Sequence, residues 1–208
     1  ILEIIVKQLK AKGFNEITLA VGHLSELIMA FFNNGSKYGL KIEYSKEEKK
    51  LGTAGGLGLL KNKLEDDFLV MNGDVLTGLD FSEFLEFHKE TGSIATIALN
   101  RRHVDIDFGV VELDENRTLI GYIEKPKIDY LVSMGVYAFN ESILEYIPSH
   151  EYLDIPDLMK RLLSEGEKVN GFIHDGYWLD IGRPDDYIKA NEDIQKIYRQ
   201  LGVSIDEA

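Results

Sequence analysis

Short apolar runs alternate with helix-period segments through the first half of this chain, and none of the runs is longer than a strand. Ile17–Val21, Lys41–Ser45, Phe68–Asn72 and Ile94–Asn100 read as strands. Ile1–Lys12, Leu24–Asn33, Thr53–Asn62 and a segment capped by Asp80 or Ser82 and running to Lys89 read as helices. Such alternation predicts a parallel sheet with helices on both faces. After Asn100 the pattern changes. Phe108–Leu113, Leu119–Glu124 and Leu131–Phe139 are strands with little helix between them, so antiparallel pairs are expected there. Asn140–Tyr146 and Asp154–Ser164 follow as helices, with Pro156 tolerated in the first turn of the second. Val169–His174 and Tyr177–Asp180 are short strands. Arg183-Pro184-Asp185 opens a closing helix with Tyr187, Ala190, Ile194 and Ile197 on one face. The expected fold is α/β, a Rossmann-like mixed sheet, mainly parallel with antiparallel additions. With no internal repeat, low-complexity tract or linker, residues 1–208 are expected to form one domain.

Composition excludes several function classes. The 208 residues contain no cysteine, which removes disulfides, thiol nucleophiles and thiolate metal sites. The net charge of −13 disfavours nucleic acid as a partner. No apolar run approaches the length needed to span a bilayer, and Ile1-Leu2-Glu3 lacks the basic start of a secretory leader, so a cytoplasmic location is expected. The five histidines are scattered without zinc-ligand spacing, and neither a Gly-x-Ser-x-Gly elbow nor a Walker loop occurs.

Two segments concentrate the chemistry. Leu51-Gly52-Thr53-Ala54-Gly55-Gly56 is a glycine-dense loop, and Phe68–Asn72 delivers Asp74 just past its C-terminal end, where ligands of open α/β sheets sit. A second carboxylate, Asp180, ends the apolar Trp178-Leu179. Each reads either as a turn or cap residue or as half of a hard-oxygen pair suited to Mg²⁺. Lys125, between Glu124 and Pro126, is expected in extended geometry. There it forms either a solvated ion pair or, with Glu124, a grip on a sugar phosphate. Asp105-Ile106-Asp107, beside Arg101, Arg102 and His103, reads as a polar turn rather than a metal motif.

Taken in order, Leu51-Gly52-Thr53-Ala54-Gly55, Asn72-Gly73-Asp74, Phe108-Gly109-Val110-Val111, Glu124-Lys125-Pro126, Met134-Gly135-Val136-Tyr137 and Trp178-Leu179-Asp180-Ile181-Gly182 resemble the sugar-1-phosphate nucleotidyltransferases. The resemblance implies an enzyme that joins a nucleoside triphosphate to a sugar-1-phosphate, releasing pyrophosphate, with Mg²⁺ as cofactor. Gly52, Thr53 and Gly55 would then lie against base and ribose, with Glu47 shaping the loop. Asp74 and Asp180 would hold the metal. Gly109, Glu124 and Gly135 would face the sugar, and Lys125 its phosphate. The runs Leu51–Leu57 and Trp178–Arg183 look most like guanylyltransferases, which favours GTP with mannose-1-phosphate. Ser133 stands where the family usually has Asn.

The family's glycine-rich loop, with its Arg and Lys, belongs upstream of the first helix and is not in this sequence. The domain is therefore expected to be N-terminally incomplete and inactive in pyrophosphate release. Weak affinity for a sugar-1-phosphate or nucleotide-sugar is still expected, as is self-association through an unpaired sheet neighbour into a homo-oligomer. The rival reading is a non-catalytic nucleotide-sugar-binding or regulatory relative of the same fold.

Overall fold

Apolar residues spaced two apart on strands and three or four apart on helices build a mixed α/β sheet with helices on both faces. The computed structural model describes residues 1–22, 24–183, 185–188, 190 and 192. His23, Pro184, Ile194 and Ile197 lie outside the described residues, and with them the far end of the closing helix. The helices are α1 (Leu2–Ala11), α2 (Ser25–Phe32), α3 (Gly52–Gly55), α4 (Phe81–Thr91) and α5 (Ile155–Ser164). The strands begin with β1 (Glu16–Val21), β2 (Lys41–Lys46), β3 (Asp67–Met71), β4 (Val75–Thr77) and β5 (Ala95–Asp105). They continue with β6 (Val110–Leu113), β7 (Leu119–Ile123), β8 (Lys127–Asn140), β9 (Val169–Ile173) and β10 (Trp178–Asp180).

The central sheet runs β3-β8-β5-β9, with β8 antiparallel to both neighbours and β9 parallel to β5. Beside it stand the parallel pair β1-β2 and the antiparallel pairs β10-β4 and β6-β7. Among the described residues β1 pairs only with β2 and β3 only with β8, so each keeps one edge without a strand partner. No described helix is long and apolar enough to cross a membrane.

Alternation along the strands decides which helix lies on which face. Met134, Val136 and Ala138 of β8 and Leu69 and Met71 of β3 meet Ile5 and Leu9 of α1 and Phe81 and Phe84 of α4. The intervening Tyr137, Phe139, Phe68 and Val70 meet α5 on the other side. That helix buries Ile155, Leu158, Met159 and Leu162, a helical stripe at i, i+3, i+4 and i+7. Pro156 sits in its first turn, where no N–H partner is lost. Asp80 caps α4 by accepting from Ser82 N at 3.0 Å and Glu83 N at 3.3 Å, and also pairs with Lys12.

Four local expectations change. Thr53–Asn62 is not one helix but four α residues followed by a 3-10 segment, Gly56–Leu60. Gly55, Gly56 and Gly58 give that stretch little helix propensity. Strand β5 continues through Arg101-Arg102-His103 to Asp105, which pairs with Lys127, because β8 is long enough to carry it. Asp105 is therefore a strand residue rather than part of a turn. It has His103 at 3.8 Å and Lys127 at 3.3 Å. Glu141–Tyr146 is a 3-10 helix capped by Asn140. Strand β4, unforeseen, follows directly after Asp74.

One polar cluster is buried between α4 and the sheet. His88 Nδ1 lies 2.8 Å from Thr96 Oγ1, whose other neighbour is Ser93 Oγ at 3.1 Å. His88 Nε2 sits 3.5 Å from Asp67 Oδ1 without making a hydrogen bond. Burial holds His88 below the ordinary histidine range, with Asp67 partly opposing.

Two expected outcomes follow from this packing. Leu162→Ala, at a fully buried position, should cost about 2–5 kcal/mol in denaturant unfolding, whereas the mostly exposed Leu163→Ala should cost far less. For His88, the unfolded chain takes up the proton first as pH falls below its ordinary value near 6.5. Stability should therefore drop as pH falls from about 7.5 to about 5.5, above the range where most carboxylates titrate. His174 is held low by burial as well and contributes with the same sign. His88→Gln should remove part of the drop; an undiminished drop in that variant would exclude His88 as a source.

Candidate active site

Strand β4 exists because it pairs with β10 over a separation of about a hundred residues: Trp178 opposes Thr77, Leu179 opposes Leu76 and Asp180 opposes Val75. This register sets Asp180 next to Asp74, and Ile181 N donates to the Asp74 carbonyl at 3.1 Å. Leu76 and Leu179 pack with Ala190 beneath the pair. From the other side α1 anchors β4, since Gln8 Nε2 donates to the Thr77 carbonyl at 2.9 Å. Gln8 was not foreseen; its signal was a polar residue between Ile5 and Leu9 on the buried face.

Burial first, then the charges of Asp74 and Asp186, push the Asp180 carboxyl above the usual carboxylate range. Ionised Asp180 thus stands against like charge from its acidic neighbours. Among the described residues no three His, Asp or Glu side chains converge as a protein-only metal cage. A divalent cation here would rest on two carboxylates and fill its shell with phosphate oxygens and water, the usual arrangement for Mg²⁺. The donor set fits that ion.

Next to this pair β8 is irregular. Ile97 opposes Tyr137, yet Leu99 opposes Ser133, so β8 spends three residues where β5 spends one. Gly135 takes φ +73° there, and a Cβ would come within 2.8 Å of Asn72 Nδ2. The bulge redirects two carbonyls: Gly135 O accepts from Asn72 N at 2.9 Å and Met134 O accepts from Trp178 Nε1 at 3.0 Å. Arg102 stacks on the Trp178 ring, 4.7 Å from its centre. Ser133 Oγ lies 3.0 Å from Tyr137 Oη and 3.3 Å from Gly135 N, so it serves the bulge itself.

A second constellation sits on the β6–β7 hairpin. Tyr122 Oη donates to Glu124 Oε2 at 2.8 Å, and this hydroxyl fills the space a side chain at Gly109 would need. Gly109, Tyr122 and Glu124 therefore form one polar corner. Tyr122 was missed from sequence, where aromatic residues read as packing. Lys125 follows, exposed, but not in extended geometry as expected. Its φ is +45°, a left-handed value that is uncommon for a residue with a side chain.

The glycine loop is the third. Glu47 Oε2 accepts from Leu51 N at 3.2 Å, and its carboxylate occupies the space beside Gly56. Gly52 has φ +79°, and a Cβ there would stand 2.5 Å from the Leu153 carbonyl. Ala54 N and Gly55 N both donate to that carbonyl, at 2.9 and 3.0 Å. Thr53 exchanges caps with the start of α5: Asp154 Oδ1 accepts from Thr53 N at 2.9 Å, and Thr53 Oγ1 accepts from Ile155 N at 2.9 Å. Tyr152 Oη donates to Asp154 Oδ2 at 2.6 Å, and this bond, ahead of that from Thr53, holds the Asp154 carboxyl below its usual value. The small residues of the loop thus have a packing role against residues 151–155 whatever else they touch.

The structure therefore brings Asp74, Gly135 and Asp180 together, joins Gly109 to Glu124, and ties Glu47 to the loop carrying Gly52, Thr53 and Gly55. A family model described as nucleotidyl transferase matches residues 1–197. Mannose-1-phosphate guanylyltransferase of Mycobacterium tuberculosis is 32% identical over 196 residues, covering 91% of this chain and 54% of the relative. UTP–glucose-1-phosphate uridylyltransferase of Synechocystis sp. is 32% identical over 209 residues, with 91% and 54% covered. The chain thus spans about half the length of these curated relatives. Among solved structures, HddC from Yersinia pseudotuberculosis superposes with a TM-score of 0.71 at 23% identity, covering 93% of this chain and 84% of that one. A putative glucose-1-phosphate thymidylyltransferase from Bacillus anthracis gives 0.74 at 23% identity, covering 98% and 86%, and these likenesses show a shared fold. By the family match over nearly its whole length, and by its identity to curated relatives, the chain belongs to the nucleotidyl transferase family, close to mannose-1-phosphate guanylyltransferases and their kin.

Proposed function

We propose that residues 1–208 are one nucleotidyltransferase domain of a cytoplasmic enzyme that transfers a nucleotidyl group from a nucleoside triphosphate to a sugar-1-phosphate. The observation that carries this reading is the Asp74–Asp180 pair at adjoining strand ends, where the charge of Asp74 bears on the Asp180 carboxyl. Bound there, Mg²⁺ would neutralise phosphate charge that builds up at the α-phosphorus.

This chain's own residues would position the partners. Asp74 and Asp180 hold the cation, and Lys125 faces the sugar phosphate. The corner of Gly109, Tyr122 and Glu124 takes sugar hydroxyls, with Gly135 close by. Glu47 keeps the loop of Gly52, Thr53 and Gly55 in shape beside base and ribose. An oxygen of the sugar phosphate forms a bond to the α-phosphorus while the bond from that phosphorus to the bridging oxygen breaks, and pyrophosphate leaves. The attacking oxygen is ionised at neutral pH, so no general base is required, and positioning with charge neutralisation supplies the rate. GTP and mannose-1-phosphate are our preferred substrates, supported by several relatives bearing the name mannose-1-phosphate guanylyltransferase.

Nucleotide-sugar binding by this chain tests the reading. GDP-mannose at about a hundredfold above its Kd should stabilise the fold by roughly 2.7 kcal/mol, seen as a rise in Tm of several degrees. UDP-glucose and dTDP-glucose should act more weakly. The Mg²⁺-dependent part of the rise should disappear in Asp74→Asn and in Asp180→Asn. Binding of none of the three, or a Mg²⁺ dependence untouched in both variants, would overturn the site; a preference for UDP-glucose would overturn only the choice of base. In an enzyme competent for turnover, Asp180→Ala should lower kcat far more than it changes KM.

A further inference from the structure

Strand β10 has only three residues and, among the described residues, pairs with β4 alone, so no ladder ties it to the central sheet. The half-buried Trp178 supplies a tie instead. Its Nε1 donates to Met134 O, on the irregular part of β8, at 3.0 Å. Alternation sets Trp178 and Asp180 on one face of β10, with Leu179 turned the other way to pack with Leu76. Two residues of strand advance the chain by about 7 Å, so a tilt of the indole is passed directly to the Asp180 carboxylate.

Arg102 covers the indole. Its guanidinium carbon lies 4.7 Å from the ring centre, and Nη2 donates to the Trp178 carbonyl at 3.5 Å. Both contacts are to one residue. Arg102 reaches it because β5 continues past the irregularity, where Arg102 opposes Tyr130. Arg101, one position earlier, points to the other side of the ladder and meets Asp175 at 3.6 Å. An uncovered indole at the surface would exchange its bond to Met134 for water at little cost, and a guanidinium held over the ring opposes that exchange.

We propose that Arg102 is a positioning residue for nucleotidyl transfer: it holds the Trp178 indole on Met134 O, and the indole holds Asp180 where one cation can touch it and Asp74. This rests on the reading of Asp74 and Asp180 as a cation pair. In this role Arg102 touches neither substrate nor metal. Its charge by itself would repel a divalent ion, so charge and position predict opposite signs. Losing the charge would tighten Mg²⁺ binding, whereas losing the cover weakens it.

Trp178 is the single tryptophan of the chain, so its fluorescence reads the first link directly. Without any ligand, Arg102→Ala should shift the emission to the red and speed quenching by acrylamide. Arg101→Ala removes the same charge from the other side of the ladder and should do neither. The second link is read from the Mg²⁺ dependence of the Tm rise given by whichever of GDP-mannose, UDP-glucose and dTDP-glucose stabilises the chain most. Arg102→Ala should raise the Mg²⁺ concentration for half of that effect about tenfold, the size usual when a group that orients a metal ligand is lost. Arg102→Met keeps a long cover over the ring without the charge and should stay close to the unsubstituted chain. In a Trp178→Phe background, which lacks the bond to Met134, Arg102→Ala should add less than about twofold. An unchanged or lowered Mg²⁺ requirement in Arg102→Ala overturns the proposal, as does an equal loss in Arg102→Met or in Arg101→Ala. If the unsubstituted chain shows no Mg²⁺ dependence, the cation pair itself falls and the proposal with it. A dependence that is present there and intact in Arg102→Ala removes the proposal alone and leaves the pair standing.

Discussion

The irregularity of β8 at Met134–Gly135 is the constraint on which the rest depends. Above it, β8 lies between β3 and β5 in the interior; below it, β8 leaves β3 behind and pairs with β5 alone. At the switch two carbonyls turn out of the ladder, one to Asn72 and one to Trp178. Those two bonds fix the strand that precedes Asp74 and the strand that ends in Asp180. Any side chain at position 135 would strike Asn72, so a single backbone position governs how the two carboxylates approach each other.

Much of this was legible in the sequence. The stripe of α5, the Asp80 cap, the tolerated Pro156 and the strand-ending carboxylates are local signals, each written within a few residues. What was not legible is non-local. Val75-Leu76-Thr77 is too short to announce a strand, and pairing with residues 178–180 makes it one. Arg101-Arg102-His103 lacks apolar alternation, because that part of the ladder is exposed and needs none. Lys125 departs from the extended form expected before proline, in a bend that joins the hairpin to β8.

The glycine loop shows how one signal can have two sources. Dense glycine suggests close approach to a ligand, yet at Gly52 the close neighbour is the Leu153 carbonyl. Packing and binding place the same demand on sequence, and only coordinates separate them. Asp154 illustrates the converse. It stands at the N-cap of α5, yet its carboxylate accepts bonds from Thr53 and Tyr152 and none from the helix it precedes.

That exchange makes a single cooperative unit of two segments a hundred positions apart. The first turn of α5 relies on Thr53 Oγ1 for the Ile155 N–H, while the loop relies on Leu153 O and Asp154 for three of its own amides. Neither end can fray without releasing the other. The amides of Thr53, Ala54, Gly55 and Ile155 therefore belong to one opening event, and a loop rich in glycine takes on the protection of the helix it caps.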